Sequence, residues 1–212
     1  MATKSWADRV AAVLSGTEPP EDPSRVQPAS RYEKMPAQMR SLIEQGLTPA
    51  GVLMPLLLDA SRETLVLTRR ADTLKHHQGQ VSFPGGSLEA SDSSITDAAL
   101  RETEEEIGIV RTRVSIIGYL PTQPTITGFA VTPVVGRIDG PVEFTRDPVE
   151  VAEVFEVPLA FLFEGDNMGV SERLIGDVSI PVYEWHYANQ HIWGATAAMV
   201  KQLVDLTISE NK

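Results

Sequence analysis

The chain has 212 residues, of which 42% are hydrophobic and 22% are charged, a balance typical of a globular protein with one domain or one domain and an extension. It contains no cysteine, which excludes disulfides, thiolate metal ligands and a cysteine nucleophile. The formal net charge of −11 argues against a nucleic-acid-binding protein, because such a protein needs a basic face for the phosphates. No apolar run is long enough to span a membrane and the N-terminus lacks a secretory pattern, so we expect no membrane partner and a cytoplasmic location.

The N-terminal part of the chain differs in composition from the rest. We expect residues 1–48 to form an extension and residues 49–212 to form the compact domain. Within the extension, residues 1–15 have the pattern of a short amphipathic helix, and a second short helix is predicted near 36–45. Between them, residues 16–23 contain three prolines and read as an exposed linker.

Apolar runs alternate with turns along the domain. The segments with strand-like patterns are 52–58, 64–67, 114–120, 131–138, 154–157, 180–187 and 190–193. The segments with helical patterns are 94–107, 159–163 and 195–208. Strands interspersed with a few helices predict an α/β sandwich built on a mixed sheet.

The helix predicted over 94–107 is unusually rich in carboxylates, with Glu102, Glu104, Glu105 and Glu106 close together. Residues three and four apart share a helix face, so Glu102, Glu105 and Glu106 point one way and Glu104 another. Three like charges on one face repel one another unless a cation lies among them, and oxygen ligands at this density suit Mg²⁺ or Mn²⁺. A merely solvated helix face is the competing interpretation.

A tight glycine turn, Phe83-Pro84-Gly85-Gly86, precedes this helix. A glycine turn that leads into a carboxylate-bearing helix indicates metal-assisted chemistry on a phosphate compound. The sequence has neither a P-loop nor a G-x-G-x-x-G motif, so a kinase or a Rossmann enzyme has no support.

The stretch 86–109 resembles the Nudix box, G-x(5)-E-x(7)-R-E-U-x-E-E-x-G-U, in which U is a bulky apolar residue. The positions that match residue by residue are Arg101, Glu102, Glu105, Glu106, Gly108 and Ile109. Thr103 stands where a bulky apolar residue is usual, and Asp92 stands where the first glutamate is expected, one residue further from Arg101 than in the general pattern. The resemblance to the Nudix hydrolase family implies an α/β/α sandwich, here with a short N-terminal helical extension.

The departure at Asp92 is itself a feature of one part of the family. An aspartate with one additional residue is similar to the coenzyme A pyrophosphatase branch, of the bacterial NudL type. Residues 67–86 also resemble that branch's pattern LLTxR[SA]x(3)Rx(3)Gx(3)FPGG, with Lys75 in place of an arginine. The likeness covers roughly residues 50–205.

The resemblance implies a pyrophosphohydrolase that cleaves a nucleoside diphosphate linked to another group. In this branch the implied substrate is coenzyme A or its thioesters, and the products are 3′,5′-ADP and 4′-phosphopantetheine or its acyl form. A divalent cation, Mg²⁺ or Mn²⁺, would neutralise the negative oxygens around the P–O–P bond and activate water. Glu102, Glu105 and Glu106 are the expected metal ligands, with the carbonyl of Gly86 as a further oxygen.

Two catalytic roles have alternative assignments. Arg101 could bind a phosphate, but the i,i+4 spacing favours a bracing contact with Glu105. The general base is Glu105, beside the activated water, or Glu150, a carboxylate from a later loop. For Glu150 the competing interpretation is a surface loop acid.

Three further residues are candidates for binding the substrate phosphates: Arg69, Lys75 and His77. Arg69 and Lys75 could equally be surface charges, and His77 could be a hydrogen-bonded residue that shapes a turn.

Two alternatives to a coenzyme A pyrophosphatase stay open. The same site could act on ADP-ribose, NADH or a nucleoside triphosphate. A nucleotide-binding module without activity is a different class, and the intact set of Arg101, Glu102, Glu105 and Glu106 argues against it. The oligomeric state is left open.

Overall fold

The computed structural model of the chain describes residues 5–26, 36–59, 62–74, 77–164, 166–175 and 178–209. The helices are α1 (Trp6–Leu14), α2 (Ala37–Gln45), α3 (Ile95–Ile107), α4 (Leu159–Phe163) and α5 (Gly194–Ser209). The strands are β1 (Thr48–Leu58), β2 (Glu63–Arg70), β3 (Val81–Ser82), β4 (Gly85–Ser87), β5 (Ser115–Tyr119), β6 (Gln123–Pro124), β7 (Phe129–Asp139), β8 (Val151–Pro158), β9 (Met168–Ile175), β10 (Val178–Tyr187) and β11 (Gln190–Trp193).

The main sheet is centred on β1, which pairs in parallel with β7 and antiparallel with β2. Its strand order is β3-β2-β1-β7-β5, with β8 paired to β2, β4 to β1 and β6 to β7. The remaining strands, β9, β10 and β11, form an antiparallel sheet of their own. The mixed sheet predicted from the sequence is therefore confirmed.

Helices cover both faces of β1. Because successive strand residues point to opposite faces, Met54 and Leu56 pack with residues of α1, α4 and α5. Leu53 and Leu57 face the other way and pack with residues of α3. A strand that is buried on both sides reads as a continuous apolar run, as residues 53–58 do. This arrangement confirms the predicted α/β/α sandwich.

The N-terminal helix α1 packs into this core. Val10 and Leu14 are buried in it, and the ring of Trp6 stacks on Phe163 with centroids 4.9 Å apart. The backbone N–H of Trp6 also donates a hydrogen bond to the carboxylate of Glu63, at 2.9 Å. The division of the chain at residue 48 stays a prediction. The contacts of α1 do not favour it, because a helix of the predicted extension packs in the core of the predicted domain.

The sequence pattern does not predict β9. Three consecutive polar residues, 171–173, interrupt its apolar residues, and Val170 and Leu174 are exposed, so neither a strict alternation nor a buried apolar run marks the strand. In the part of the chain that the structure describes, every helix is too short or too polar to cross a bilayer.

Candidate active site

Helix α3 begins and ends where the sequence predicts. The Ser94 hydroxyl accepts a hydrogen bond from the Asp97 N–H, at 3.1 Å, and Gly108 ends the helix with a left-handed φ of 75°. The helix packs closely on β1 because Gly51 has no side chain. A Cβ there would lie 3.3 Å from that of Ala99 and would overlap the carbonyl oxygen of Ile95.

Thr103 stands at the position of the Nudix box where a bulky apolar residue is usual. It is fully buried on the inner face of α3. Its hydroxyl donates to the carbonyl of Ala99 at 2.6 Å, within the same helix. A buried hydroxyl that bonds to the preceding turn leaves no unpaired polar group, so threonine is accommodated in an apolar setting.

The two glycines of the turn lie against two glutamates of α3. A Cβ at Gly86 would be 2.5 Å from the carboxyl carbon of Glu102, so a side chain at this position would displace that carboxylate. Gly85 has a φ of 151°, and its N–H donates a hydrogen bond to Glu106. Strand β4 therefore brings the turn and the carboxylates together, as the sequence predicts.

Arg101 holds the carboxylates in place. Its Nε and Nη2 donate to Asp92 at 2.9 and 3.1 Å, and its Nη1 donates to Glu102 at 2.9 Å and to Glu105 at 3.1 Å. Nη2 also donates to the carbonyl of Ser87 at 3.3 Å. A guanidinium has five N–H groups, and all of them are used here. This favours the bracing role over phosphate binding.

The glutamates of α3 differ in burial. Glu106 is only 4% exposed, and this burial, reinforced by the charges of Glu102 and Glu150, raises its pKa to about 8. Burial also raises the pKa of Glu102, against the opposing effect of Arg101. Glu105 lies at the rim, with 61% of its side chain exposed.

Glu104 points away from this group, as predicted. It is half exposed, and its carboxylate lies 3.8 Å from the guanidinium of Arg111.

Glu150 joins the site from a distant part of the chain. The backbone N–H groups of Thr145 and Asp147 donate to carbonyls in the last turn of α3, at 3.0 and 2.9 Å. The carbonyl of Glu150 accepts from the N–H of Ala71 at 2.8 Å. These bonds fix the loop before β8 between α3 and the end of β2. Glu150 is thereby close enough for its charge to raise the pKa of Glu106.

The carboxylates suit a divalent cation. Glu102 and Glu106 are buried to different degrees, and each carries a pKa raised by burial and by the other acids. Such a group needs a cation to stabilise its charged form, and an oxygen-only donor set favours Mg²⁺ or Mn²⁺ over softer metals. The residues present therefore fit the metal that the sequence implies.

Arg70 acts on a carboxylate of α3, and the sequence interpretation missed it. Its positive charge lowers the pKa of Glu106, and its Nε is buried without a hydrogen-bond partner among the described residues. The signal was available in the alternation of β2, because Val66 packs with Ile107 of α3 and Arg70 has the same parity. In the pattern LLTxR[SA], the arginine before the small residue, here Ala71, is also Arg70.

Two of the predicted phosphate-binding residues, Arg69 and His77, have partners outside helix α3. Arg69, of opposite parity to Arg70, has its guanidinium 3.4 Å from Asp72 and 3.7 Å from Glu153. His77 has a φ of 58°, and its Nδ1 is 2.8 Å from the side-chain oxygen of Gln80, which fits the turn-shaping interpretation. Lys75 lies outside the described residues. Their roles in substrate binding stay predictions.

Residues 47–169 match the NUDIX domain family. The chain belongs to the Nudix family, whose members are hydrolases that act on pyrophosphate bonds and generally need divalent cations. It is 39% identical to the uncharacterized Nudix hydrolase NudL of Pectobacterium atrosepticum over 177 residues, which cover 84% of this chain and 90% of that protein. It is 41% identical to NudL of Citrobacter koseri over 158 residues, 73% of this chain and 80% of that protein.

These relatives make the chain a Nudix hydrolase of the bacterial NudL type, as the sequence motifs predict. Among solved structures, it is similar to a MutT/nudix family protein from Enterococcus faecalis, with a TM-score of 0.46 and 15% identity over 86% of this chain and 75% of that one.

The carboxylate of Asp92, whose side chain is 3% exposed, accepts two hydrogen bonds from Arg101. The hydrogen bonds from Arg101 hold the pKa of Asp92 below its ordinary value. A carboxylate with a lowered pKa stabilises the fold above its unfolded pKa of about 4, and this contribution is lost as the pH falls through the folded value. We expect Asp92→Asn to lower the free energy of unfolding by about 1–3 kcal/mol at pH 7.

Urea unfolding measures this difference. The gap between wild type and Asp92→Asn should shrink as the pH is lowered towards the limit at which wild type is still folded. Asp166→Asn, at an exposed position, serves as the matched control and should have little effect. A gap that stays constant with pH would show that the ion pair is not its source.

Proposed function

We propose that this chain hydrolyses the pyrophosphate bond of coenzyme A or its thioesters, with Mg²⁺ or Mn²⁺ as cofactor, to give 3′,5′-ADP and 4′-phosphopantetheine or its acyl form. The observation that carries the proposal is the convergence of Glu102, Glu106 and Glu150 beside the Gly85-Gly86 turn. The lack of cysteine fits the reducing cytoplasm in which we propose that the enzyme acts.

Glu102, Glu105 and Glu106 would hold the cation, together with the carbonyl of Gly86. When bound, the cation neutralises phosphate oxygens and makes water a better nucleophile. Arg101 supports the ligands by fixing Glu102 and Glu105 through its hydrogen bonds. Because Arg101 has all five N–H groups engaged by protein oxygens, we assign it to positioning and not to the substrate.

We assign the general base to Glu150. Its carboxylate accepts the proton of the attacking water while the water oxygen bonds to phosphorus and the bond to the leaving phosphate breaks. Glu105, the other candidate, is tied to Arg101 at 3.1 Å and lies largely in solvent. Glu150 instead acts electrostatically on both Glu102 and Glu106 and is fixed by its backbone to the end of β2. The backbone contact and the charge effects on both Glu102 and Glu106 therefore support Glu150.

We assign the recognition of a substrate phosphate to Arg70. A buried guanidinium nitrogen that has no partner among the residues the structure describes favours an incoming acceptor, and phosphate oxygens are strong acceptors for arginine. Its position beside Glu106 would place the substrate's negative oxygens next to the cation ligands. Arg69, Lys75 and His77, on the strand end and the segment that follows, stay proposed as additional phosphate contacts.

The choice of coenzyme A is supported by the motif in residues 67–86 and by the resemblance of the box around Asp92 to that branch of the family. The complete set of carboxylates supports an enzyme over a binding module.

A comparison of kcat/KM across a substrate panel tests the proposal. The panel contains coenzyme A, acetyl-coenzyme A, ADP-ribose, NADH and a nucleoside triphosphate, each with Mg²⁺ and with Mn²⁺. We expect the coenzyme A compounds to have the highest kcat/KM and a chelator to abolish turnover. Preference for ADP-ribose or NADH would overturn the substrate assignment alone. Saturable binding without turnover of any compound would overturn the assignment as an enzyme.

A further inference from the structure

A second group of metal-ligating side chains lies on the three-stranded sheet. His186 of β10 and His191 of β11 are directly opposite each other in the antiparallel register. Glu184 precedes His186 by two residues and therefore stands on the same face of β10. The hairpin thus presents two imidazoles and one carboxylate on one surface, supplied by regular strand positions rather than by loops.

The side chains converge at short distances. The Nε2 atoms of His191 and His186 lie 2.8 and 4.0 Å from Oε2 of Glu184. The two imidazole rings stack with centroids 4.3 Å apart and planes 9° apart. One ligand atom from each of the three residues falls within 4.8 Å of the others.

The neighbouring residues hold this arrangement. Gly169 of β9 pairs with Glu184, and a Cβ there would lie 3.0 Å from Cγ of Glu184, so glycine allows the carboxylate to lie across the strand. Trp193 flanks His191, with ring centroids 6.1 Å apart, and is itself covered by the guanidinium of Arg173 at 4.2 Å. His186 is 68% exposed, so an ion can reach the group from solvent.

We propose that Glu184, His186 and His191 bind a transition-metal ion of the Zn²⁺ class. Two imidazole nitrogens and one carboxylate oxygen match the ligands of zinc sites that keep a fourth position for water, whereas Mg²⁺ prefers oxygen alone. Zinc bonds of 2.0–2.1 Å at tetrahedral angles separate two ligands by about 3.3 Å. The observed separations of 2.8 and 4.0 Å lie on either side of this value. Because each Nε2 lone pair lies in its own ring plane, the two stacked imidazoles must also turn about their side-chain bonds for both nitrogens to point at one ion.

The ion would link the two strands of the hairpin. Its ligands come from β10 and from β11, and the tip of this hairpin is joined to the main sheet by the hydrogen bond from Gln190 to Glu153, at 2.8 Å. Because the three ligands meet only in the folded chain, binding raises the unfolding temperature. This site is separate from the carboxylates of α3 in both residues and donor type.

Titration calorimetry with ZnCl₂ tests the proposal on untagged, chelator-treated protein with Mg²⁺ in excess. We expect about one Zn²⁺ per chain, as for a single site with three protein ligands. His186→Ala, at an exposed position, should weaken the affinity at least about tenfold. His77→Ala is the matched histidine control and should bind as wild type does. Glu106→Gln should also keep the site, since it alters only α3.

A second readout identifies the ligands directly. The imidazole NMR resonances of His186 and His191 should shift on addition of Zn²⁺, while those of His77 stay in place. Failure of the wild-type protein to bind Zn²⁺ under these conditions would overturn the proposal. An unchanged affinity in His186→Ala would overturn it as well, because the ion would then be held elsewhere.

Discussion

Glu106→Gln is expected to lower kcat by roughly two decades or more at saturating Mg²⁺, with the fold intact. Glutamine keeps the shape of the side chain but removes the charge that a divalent cation needs. Glu106 is 4% exposed, so water cannot easily replace the lost ligand. With its pKa raised to about 8, Glu106 is largely protonated at neutral pH when no cation is bound, so a neutral amide should leave the stability of the metal-free protein about unchanged. Steady-state kinetics and thermal unfolding together measure the two effects.

Glu104→Gln is the matched control for this variant. It lies on the same helix but points outward to Arg111, so kcat should stay within about a factor of two, as for a surface change. An unchanged kcat in Glu106→Gln at saturating Mg²⁺ would contradict the metal site on α3.

Glu150→Gln is expected to lower kcat by about 10²–10⁴-fold, the usual contribution of a general base, with a smaller change in KM. The amide cannot accept the proton of water, whereas the ligands of the cation are untouched. The pH profile gives a second readout, because the acid limb of kcat that reports the base should disappear in the variant.

Two further variants serve as controls for Glu150→Gln. Glu143→Gln, at an exposed position of the same loop, should leave kcat unchanged. Glu105→Gln should have a smaller effect than Glu150→Gln, since Glu105 lies at the rim of the site. A larger loss in Glu105→Gln, together with a retained acid limb in Glu150→Gln, would assign the base to Glu105 instead.

Local sequence rules predict helix α3 well. Ser94 and Gly108 mark its ends through capping geometry, which depends on a few neighbouring residues. The spacing of Glu102, Glu105 and Glu106 predicts a shared face, but their burial differs because the three side chains do not lie equally close to the sheet. Glu106 follows Ala99 by seven residues and so continues the apolar stripe, whereas Glu105 falls at its edge.

The alternation of β2 carries information that the charge pattern alone does not. Two adjacent arginines look equivalent in the sequence, yet a strand sends them to opposite faces. Arg69 meets Asp72 and Glu153, while Arg70 faces Glu106. Arg70 lies four residues after the buried Val66 and therefore points to the same face of the strand, whereas Arg69 points to the other.

Long-range contacts are what the sequence could not supply. Glu150 reaches the site because Thr145 and Asp147 bond to the end of α3, a contact between segments about forty residues apart that no local pattern encodes. The pairing of His186 with His191 is local by comparison, because both strands of that hairpin were predicted, but its register follows only from the folded structure.

Metal-dependent cleavage of coenzyme A is tested by product analysis after incubation of the purified chain with coenzyme A and Mg²⁺ or Mn²⁺. We expect chromatography to show 3′,5′-ADP and 4′-phosphopantetheine in equal amounts, no products in the presence of a chelator, and strongly reduced amounts with Glu106→Gln. Intact coenzyme A under conditions in which the same preparation cleaves ADP-ribose or NADH would contradict the substrate. Cleavage of coenzyme A that persists in the chelator would contradict a metal-dependent site on α3.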